Sequence, residues 1–290
     1  MSVAYTDVPA FYLGGLSMAF FRGDVYSYAL DKMTSLNVYL PHDDLPRLQV
    51  DKPMHTLVLL HGLQGNASFW SRYSSIERYA QEHNIALIMP EGEMSMFVDM
   101  KHGLDYGMYF GKELKSIVRR MFNVPTDRKH YSIAGFSMGG YGALRLALQY
   151  PEEFSHCMCI AGAFMLGGEK HLRELKEWQE EDIRPVPYDP EYELQRTFKK
   201  SCEAAYGVAM EPSPESDLRQ LAKAAVTSGK KLPKVLLTSG TEDFLHPVSM
   251  EYSKYFRSIG LEHEFRTWPG ENCWKFVDES VRDHISFFIE

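Results

Sequence analysis

Several things are scarce in this sequence of 290 residues, and each scarcity excludes a class of function. No apolar run approaches the ~18 residues of a membrane span, and the N-terminal stretch MSVAYTDVPAFYLGG lacks the basic-then-apolar pattern of a secretory signal. Lys and Arg number 31 against 39 Asp and Glu, a formal net charge of −8, and they form no run. Phosphate neutralisation, which drives nucleic-acid binding, therefore has no evident source. There are only four cysteines. Cys157 and Cys159 form a C-x-C pair on an expected strand, where their side chains are read as leaving on opposite faces, against a shared metal. No His/Asp/Glu/Cys set has metal-ligand spacing, and no G-x-G-x-x-G follows the first strands, so neither metal nor other cofactor is expected. Repeats and low-complexity tracts are also missing. The resulting expectation is a cytoplasmic protein with free thiols, no nucleic-acid or membrane partner and a small molecule as its ligand. Assembly into a homo-oligomer is left open.

What is present is ordinary for a folded soluble chain: 44% hydrophobic, 24% charged and 13% aromatic residues. Short strand-like runs stand at 17–21, 36–40, 55–60, 85–90, 131–135, 156–162, 234–240 and 263–268. From the third onward they alternate with helical patterns near 68–82, 104–122, 138–150, 247–259 and 274–289. Strand, helix, strand repeated this way requires crossovers, hence an α/β fold with a mostly parallel sheet of eight strands and helices on both faces. The first two strands have no helix between them and are expected to pair antiparallel at one edge. Residues 163–233 interrupt the rhythm with polar, proline-punctuated sequence too long for a plain loop. They are read as a helical, lid-like insertion after the sixth strand of a single domain, 1–290, with a charged surface excursion as the alternative.

One motif carries chemistry. YSIAGFSMGGYGALRLAL places Gly135-Phe136-Ser137-Met138-Gly139 between a strand and a helix, the setting in which G-x-S-x-G holds a nucleophile. The turn is tight enough that a side chain at either glycine would collide with its neighbours. Ser137 is therefore read as a nucleophile at the C-terminal edge of the sheet rather than an incidental turn serine, with the Met138 amide directed at a developing oxyanion. His61-Gly62-Leu63-Gln64-Gly65-Asn66, directly after the third strand, can supply the second oxyanion-hole amide, assigned to Leu63. His61 is read as a structural hydrogen-bonder beneath that loop. After the seventh strand, SGTEDFLHP offers Asp243 as the acid, consistent with a Ser, Asp, His chain order.

Together, HGLQGN, DMKHGLDYGMYFGKEL, GFSMGGYGAL, SDLRQLA and SGTEDFL resemble the esterase D family of α/β-hydrolases, which includes S-formylglutathione hydrolases. The resemblance is strongest to its bacterial tributyrin-esterase branch of acetyl- and feruloyl-esterase-like enzymes, and it spans nearly the whole chain. It implies the α/β-hydrolase fold, hydrolysis of short-chain acyl or aryl carboxylic esters through an acyl-serine, Ser137 as nucleophile, Asp243 as acid, and the Leu63 and Met138 amides as oxyanion hole.

The missing residue is a histidine. The family follows its eighth strand with Gly-x-His-x-Trp; here the stretch reads Gly270-Glu271-Asn272-Cys273-Trp274, and Asn272 stands at the base position. An amide cannot take the serine proton at neutral pH, so impaired turnover is expected. His246 is the first candidate for a relocated base and His102 the second. His284 lies 12 residues beyond Asn272, about 18 Å along a helix, which is too far. Besides a relocated base, a deliberately inactivated variant and a natural, ester- or glycan-binding pseudo-esterase fit the replacement. A thioesterase acting on S-formylglutathione is the rival activity.

Overall fold

A computed structural model describes residues 18–41, 53–178 and 189–289. The N-terminal stretch considered above and residues 179–188 of the insertion lie outside the described residues. The sheet has eight strands: β1 (Met18–Ser27), β2 (Lys32–Pro41), β3 (His55–Leu60), β4 (Ile85–Pro90), β5 (Tyr131–Phe136), β6 (His156–Ile160), β7 (Lys234–Gly240) and β8 (Glu264–Trp268). Their order is β1-β2-β4-β3-β5-β6-β7-β8. The β1–β2 and β2–β4 pairings are antiparallel and the others parallel, so the expected antiparallel pair does occupy one edge.

The four central strands β3 to β6 are buried along their whole length, because helices cover both faces. Side-chain alternation divides each between two cores. Val58, Leu60, Ile88 and Ile133 join one; Leu57, Leu59, Leu87 and Ala134 join the other. The second core is closed by α1 (Phe69–Tyr73), α2 (Ile76–Glu82), α10 (Trp274–His284) and a final 3₁₀ turn, Ile285–Ile289. The first is closed by α3 (Tyr106–Met108), which runs through a π turn (Tyr109–Glu113) into α4 (Leu114–Met121), and by α5 (Met138–Gln149), α8 (Leu218–Thr227) and α9 (His246–Ser258). Among the described residues, no helix is long and apolar enough to cross a membrane.

The insertion carries α6 (Glu169–Glu177), α7 (Pro190–Tyr206) and α8. Leu172, Cys202, Ala205, Tyr206, Leu218 and Leu221 all enter the first core. The end of α7 also accepts hydrogen bonds from the loop after β4, Lys101 N to Ala205 O (3.0 Å) and His102 N to Ala204 O (2.9 Å). Its far side is tied down by the Tyr141 hydroxyl, which donates to Ser216 O at 2.6 Å.

Three expectations need correction. Cys157 and Cys159 do not face opposite ways: residues two apart share a face of a strand, and their sulfurs lie 3.7 Å apart in the first core, unoxidised. The helix expected over 68–82 is two helices, because the Ser75 amide leaves the helical ladder and donates to Asp278 Oδ1 at 2.6 Å. Sheet β1–β2 is twice as long as its apolar runs, since main-chain pairing continues through Arg22, Gly23 and Asp24.

Backbones approach very closely at the β5–α5 junction. A Cβ at Gly135 would lie 2.1 Å from Gly139 O, and one at Gly139 would lie 2.3 Å from Leu60 O. Both obstacles are backbone and cannot swing aside. Gly135→Ala is expected to lower the unfolding free energy by about 3 to 5 kcal/mol or to prevent folding, measured by urea denaturation. Gly23→Ala, where a Cβ meets nothing within 4 Å, serves as control and should stay within about 0.5 kcal/mol.

Candidate active site

The C-terminal ends of β3, β5, β7 and β8 bring the singled-out residues to one edge of the sheet. Ser137 follows the last residue of β5 and has φ 54° and ψ −115°, a conformation that a non-glycine residue adopts only where its surroundings impose it. Those surroundings are visible. The Ser137 amide donates to Ile160 O at the end of β6 (3.0 Å), and its carbonyl accepts from Tyr141 N (3.1 Å) and Ala163 N (3.0 Å). Main-chain bonds on both sides thus hold the strained bend, with the serine half-buried. Met138 opens α5, where the first amides of a helix have no acceptor within it.

The Leu63 loop is seated beside this bend. A Cβ on Gly62 would lie 3.3 Å from the ring of Phe136, and the turn is closed by Gly65 N donating to Gly62 O at 3.0 Å. His61 is 1% exposed; Nδ1 bonds Gly62 O (2.8 Å), while Nε2 meets Gly92 N (3.0 Å) and Glu91 Oε1 (3.3 Å). Both ring nitrogens are engaged in holding the loop, as a structural role requires.

Sequence reasoning passed over Glu91. Its carboxylate accepts from the amides of Ala67 (3.2 Å), Gly92 (3.1 Å) and Glu93 (2.8 Å), so one side chain ties the loop after β3 to the end of β4. Burial pushes its carboxyl up, but the bonds from His61, Glu93 and Ala67 outweigh this and hold it below the usual range. The available signal was an acid immediately after a buried strand, adjacent in the sheet to the Gly-rich loop.

Asp243 and Asn272 meet. Asp243 is 4% exposed, and its carboxylate accepts from Leu245 N at 2.7 Å and from Asn272 Nδ2 at 3.2 and 3.0 Å. A carboxylate only accepts, so the amide group of Asn272 must present its nitrogen to Asp243. The two loops are locked together behind this contact: Glu242 N donates to Gly270 O (3.0 Å), and a Cβ on Gly240 would lie 2.1 Å from that oxygen. Trp274, two residues past Asn272, packs on Phe136, the residue before Ser137, with ring centroids 5.4 Å apart. The β8–α10 loop is thereby held against the serine turn.

His246, His263 and His284 are occupied elsewhere. His246 Nδ1 bonds Ser239 Oγ at 3.1 Å and its ring stacks on Phe265. His263 bonds Ser253 Oγ and Leu261 O, and His284 bonds Ser280 O. His102 is exposed on the loop joined to α7. The aromatics of 97–110 pack between helix and sheet: Phe97, Tyr106, Tyr109 and Phe110 are all buried in the first core. Cys202 is buried, which pushes its thiol up to about 12, far from a nucleophile.

Residues 27–185 match the family model described as "Putative esterase". The sequence is 26% identical over 274 residues to an acetyl esterase of Caldicellulosiruptor saccharolyticus, covering 91% of this chain and 96% of that one. Two solved structures from Staphylococcus aureus each cover 94% of this chain with 99% of their own. One is FphF, a fluorophosphonate-binding serine hydrolase in a substrate-bound state, at 28% identity and TM-score 0.78. The other is the S-formylglutathione hydrolase FrmB as apoenzyme, at 27% identity and TM-score 0.72. With the family model matching more than half of its length and this strand order, the chain has the α/β-hydrolase fold and belongs to the esterase family.

Proposed function

We propose that the chain is a carboxylic ester hydrolase of serine type whose turnover is impaired at one step, removal of the serine proton. The observation that carries the reading is the pair of Asn272 Nδ2 bonds to the buried Asp243 carboxylate, the position from which a histidine would both answer the acid and face Ser137. In a complete site, the base takes the Ser137 proton, the hydroxyl oxygen attacks the ester carbonyl, and the Leu63 and Met138 amides receive the oxyanion. The alcohol leaves with the base's proton, and water then releases the acid from the acyl-serine. Asn272 can donate to Asp243 but offers the serine only an amide carbonyl, which has almost no affinity for a proton at neutral pH. Attack must then proceed from the neutral hydroxyl.

Short-chain acyl or aryl esters are the proposed substrate class, in keeping with the acetyl esterase relative. The likeness to FrmB favours a second reading, a thioester such as S-formylglutathione. Thioester turnover well above that of aryl acetates would select it. The engagement of His246 with Ser239 and Phe265 argues against a relocated base.

Asn272→His is expected to raise p-nitrophenyl acetate hydrolysis by about three to six orders of magnitude, a gain abolished by Ser137→Ala. Full activity in the unmodified chain, with no gain on substitution, would overturn the reading. The same pair gives a pH signature: in Asn272→His, kcat/KM should rise with pH through an ionisation near the ordinary histidine value of about 6.5, because only the neutral ring accepts the proton. The unmodified chain should show no such step. Asp243→Asn should change the residual rate of the unmodified chain by less than about tenfold, yet remove about 10³-fold or more from Asn272→His, a non-additivity read from the four rates.

A further inference from the structure

The turn that carries the second assigned oxyanion donor does not hold its shape by itself. Gly65 N donates to Gly62 O at 3.0 Å, which makes Leu63 and Gln64 the central residues of a β-turn. Gln64 has φ 60°, in the left-handed region that a residue with a side chain enters at a cost and glycine enters freely. Gln64 is exposed, so burial of its own side chain does not offset that cost. Among the described residues nothing accepts from the Leu63 amide, which leaves it free to donate to a ligand.

A carboxylate from another strand grips this turn at both ends. Glu91 follows β4, and its backbone is pinned to β2 by Glu91 N donating to Ser35 O (3.0 Å). Its side chain divides between two loops. Oε2 accepts from Ala67 N (3.2 Å), just beyond the turn, while Oε1 accepts from Gly92 N (3.1 Å) and Glu93 N (2.8 Å). Ala67 is fixed from a second side, its carbonyl accepting from Asn37 Nδ2 at 2.9 Å. At the near end, the Gly92 amide that Glu91 holds also lies 3.0 Å from His61 Nε2, and His61 Nδ1 bonds Gly62 O. A bland explanation covers part of this. An acid beside its own loop satisfies the nearest amides, and Gly92 and Glu93 are such neighbours. It does not cover Ala67, 24 residues away in the chain.

We propose that Glu91 is a positioning residue for the oxyanion hole: its bond to Ala67 keeps the turn in the strained form that presents the Leu63 amide to the oxyanion on Ser137. The inference rests on the serine-esterase reading above and adds to it a residue that touches neither substrate nor reacting atoms. Released at Ala67, the loop can carry Gln64 out of its left-handed conformation, and the adjoining amides turn with it. An oxyanion donor acts through its direction, so a displacement of about 1 Å removes most of its effect on the rate. Binding of the uncharged ester carbonyl depends on it far less, so the loss falls on kcat rather than KM. Only an ionised carboxylate suits this task, because it alone accepts at both oxygens.

Glu91→Gln is nearly isosteric and breaks one contact selectively. Its amide oxygen is drawn to the position with two donors, Gly92 and Glu93, which turns the NH₂ group towards the Ala67 N–H. In the Asn272→His protein, kcat for p-nitrophenyl acetate, expressed per serine titrated with a fluorophosphonate, is expected to fall about 10- to 100-fold, with KM within about threefold. Adding Gln64→Gly should recover about threefold or more, because glycine takes φ 60° without steric cost. A second glycine would not repair a fold that had merely loosened. In the chain without the histidine, Glu91→Gln should shift or broaden the Leu63 amide signal in ¹H–¹⁵N spectra. A kcat within about twofold of the parent, a loss confined to KM, or a loss that Gln64→Gly leaves untouched would overturn the assignment. An unmoved Leu63 signal would overturn it independently of turnover. Should Asn272→His prove inactive while that signal moves, the esterase reading fails and the grip of Glu91 on the turn stands.

Discussion

Everything at the candidate site depends on how closely three stretches of backbone approach one another. The helix that follows β5 begins so near the end of β3 that Gly139 fits under the carbonyls of Leu60 and His61, and Gly135 fits under Gly139. Between these two contacts the chain has no room for a relaxed turn, so Ser137 takes φ 54° and is fixed there by bonds to β6 and to Ala163. The same crowding carries the Gly62–Leu63 loop to Phe136. Strain at one residue is thus compensated by packing over three strands, the distribution expected of a site that must hold its geometry before any ligand arrives.

A second contact decides what that geometry can do. The Asp243 carboxylate is buried and satisfied by a backbone amide and by Asn272. Asparagine is well suited to the structural half of the role, because its Nδ2 gives a buried anion the donor it requires. It fails at the chemical half, because its remaining polar atom is not a base. The loop that carries Asn272 has further supports: the Gly240–Gly270 contact and the packing of the Trp274 ring on Phe136.

Much of this was legible in the sequence, for identifiable reasons. The central strands announce themselves because burial on both faces leaves little but Val, Ile, Leu, Ala and Met in β3 and β4. Ser137 and Asp243 were legible because glycines and an acid stand at fixed places after such strands. The length of β1 was not, since an edge strand is held by main-chain pairing and tolerates Arg22 and Asp24. Nor was the break between α1 and α2, which depends on the Ser75 amide donating to Asp278 some 200 residues away. Glu91 carried only a faint local mark, an acid directly after a buried strand, because the partner that shows its role, the Ala67 amide, lies 24 residues away in the chain.

The central claim is that the serine bend is competent and lacks only its proton acceptor. The most direct measurement is the rate at which an aryl fluorophosphonate forms a covalent adduct, followed by intact mass and located by peptide mapping, in the unmodified chain and in Asn272→His. The account predicts modification confined to the peptide containing Ser137, and faster in the histidine-bearing protein by about 10²-fold or more. Equal rates in the two proteins, or an adduct at a residue other than Ser137, would contradict it.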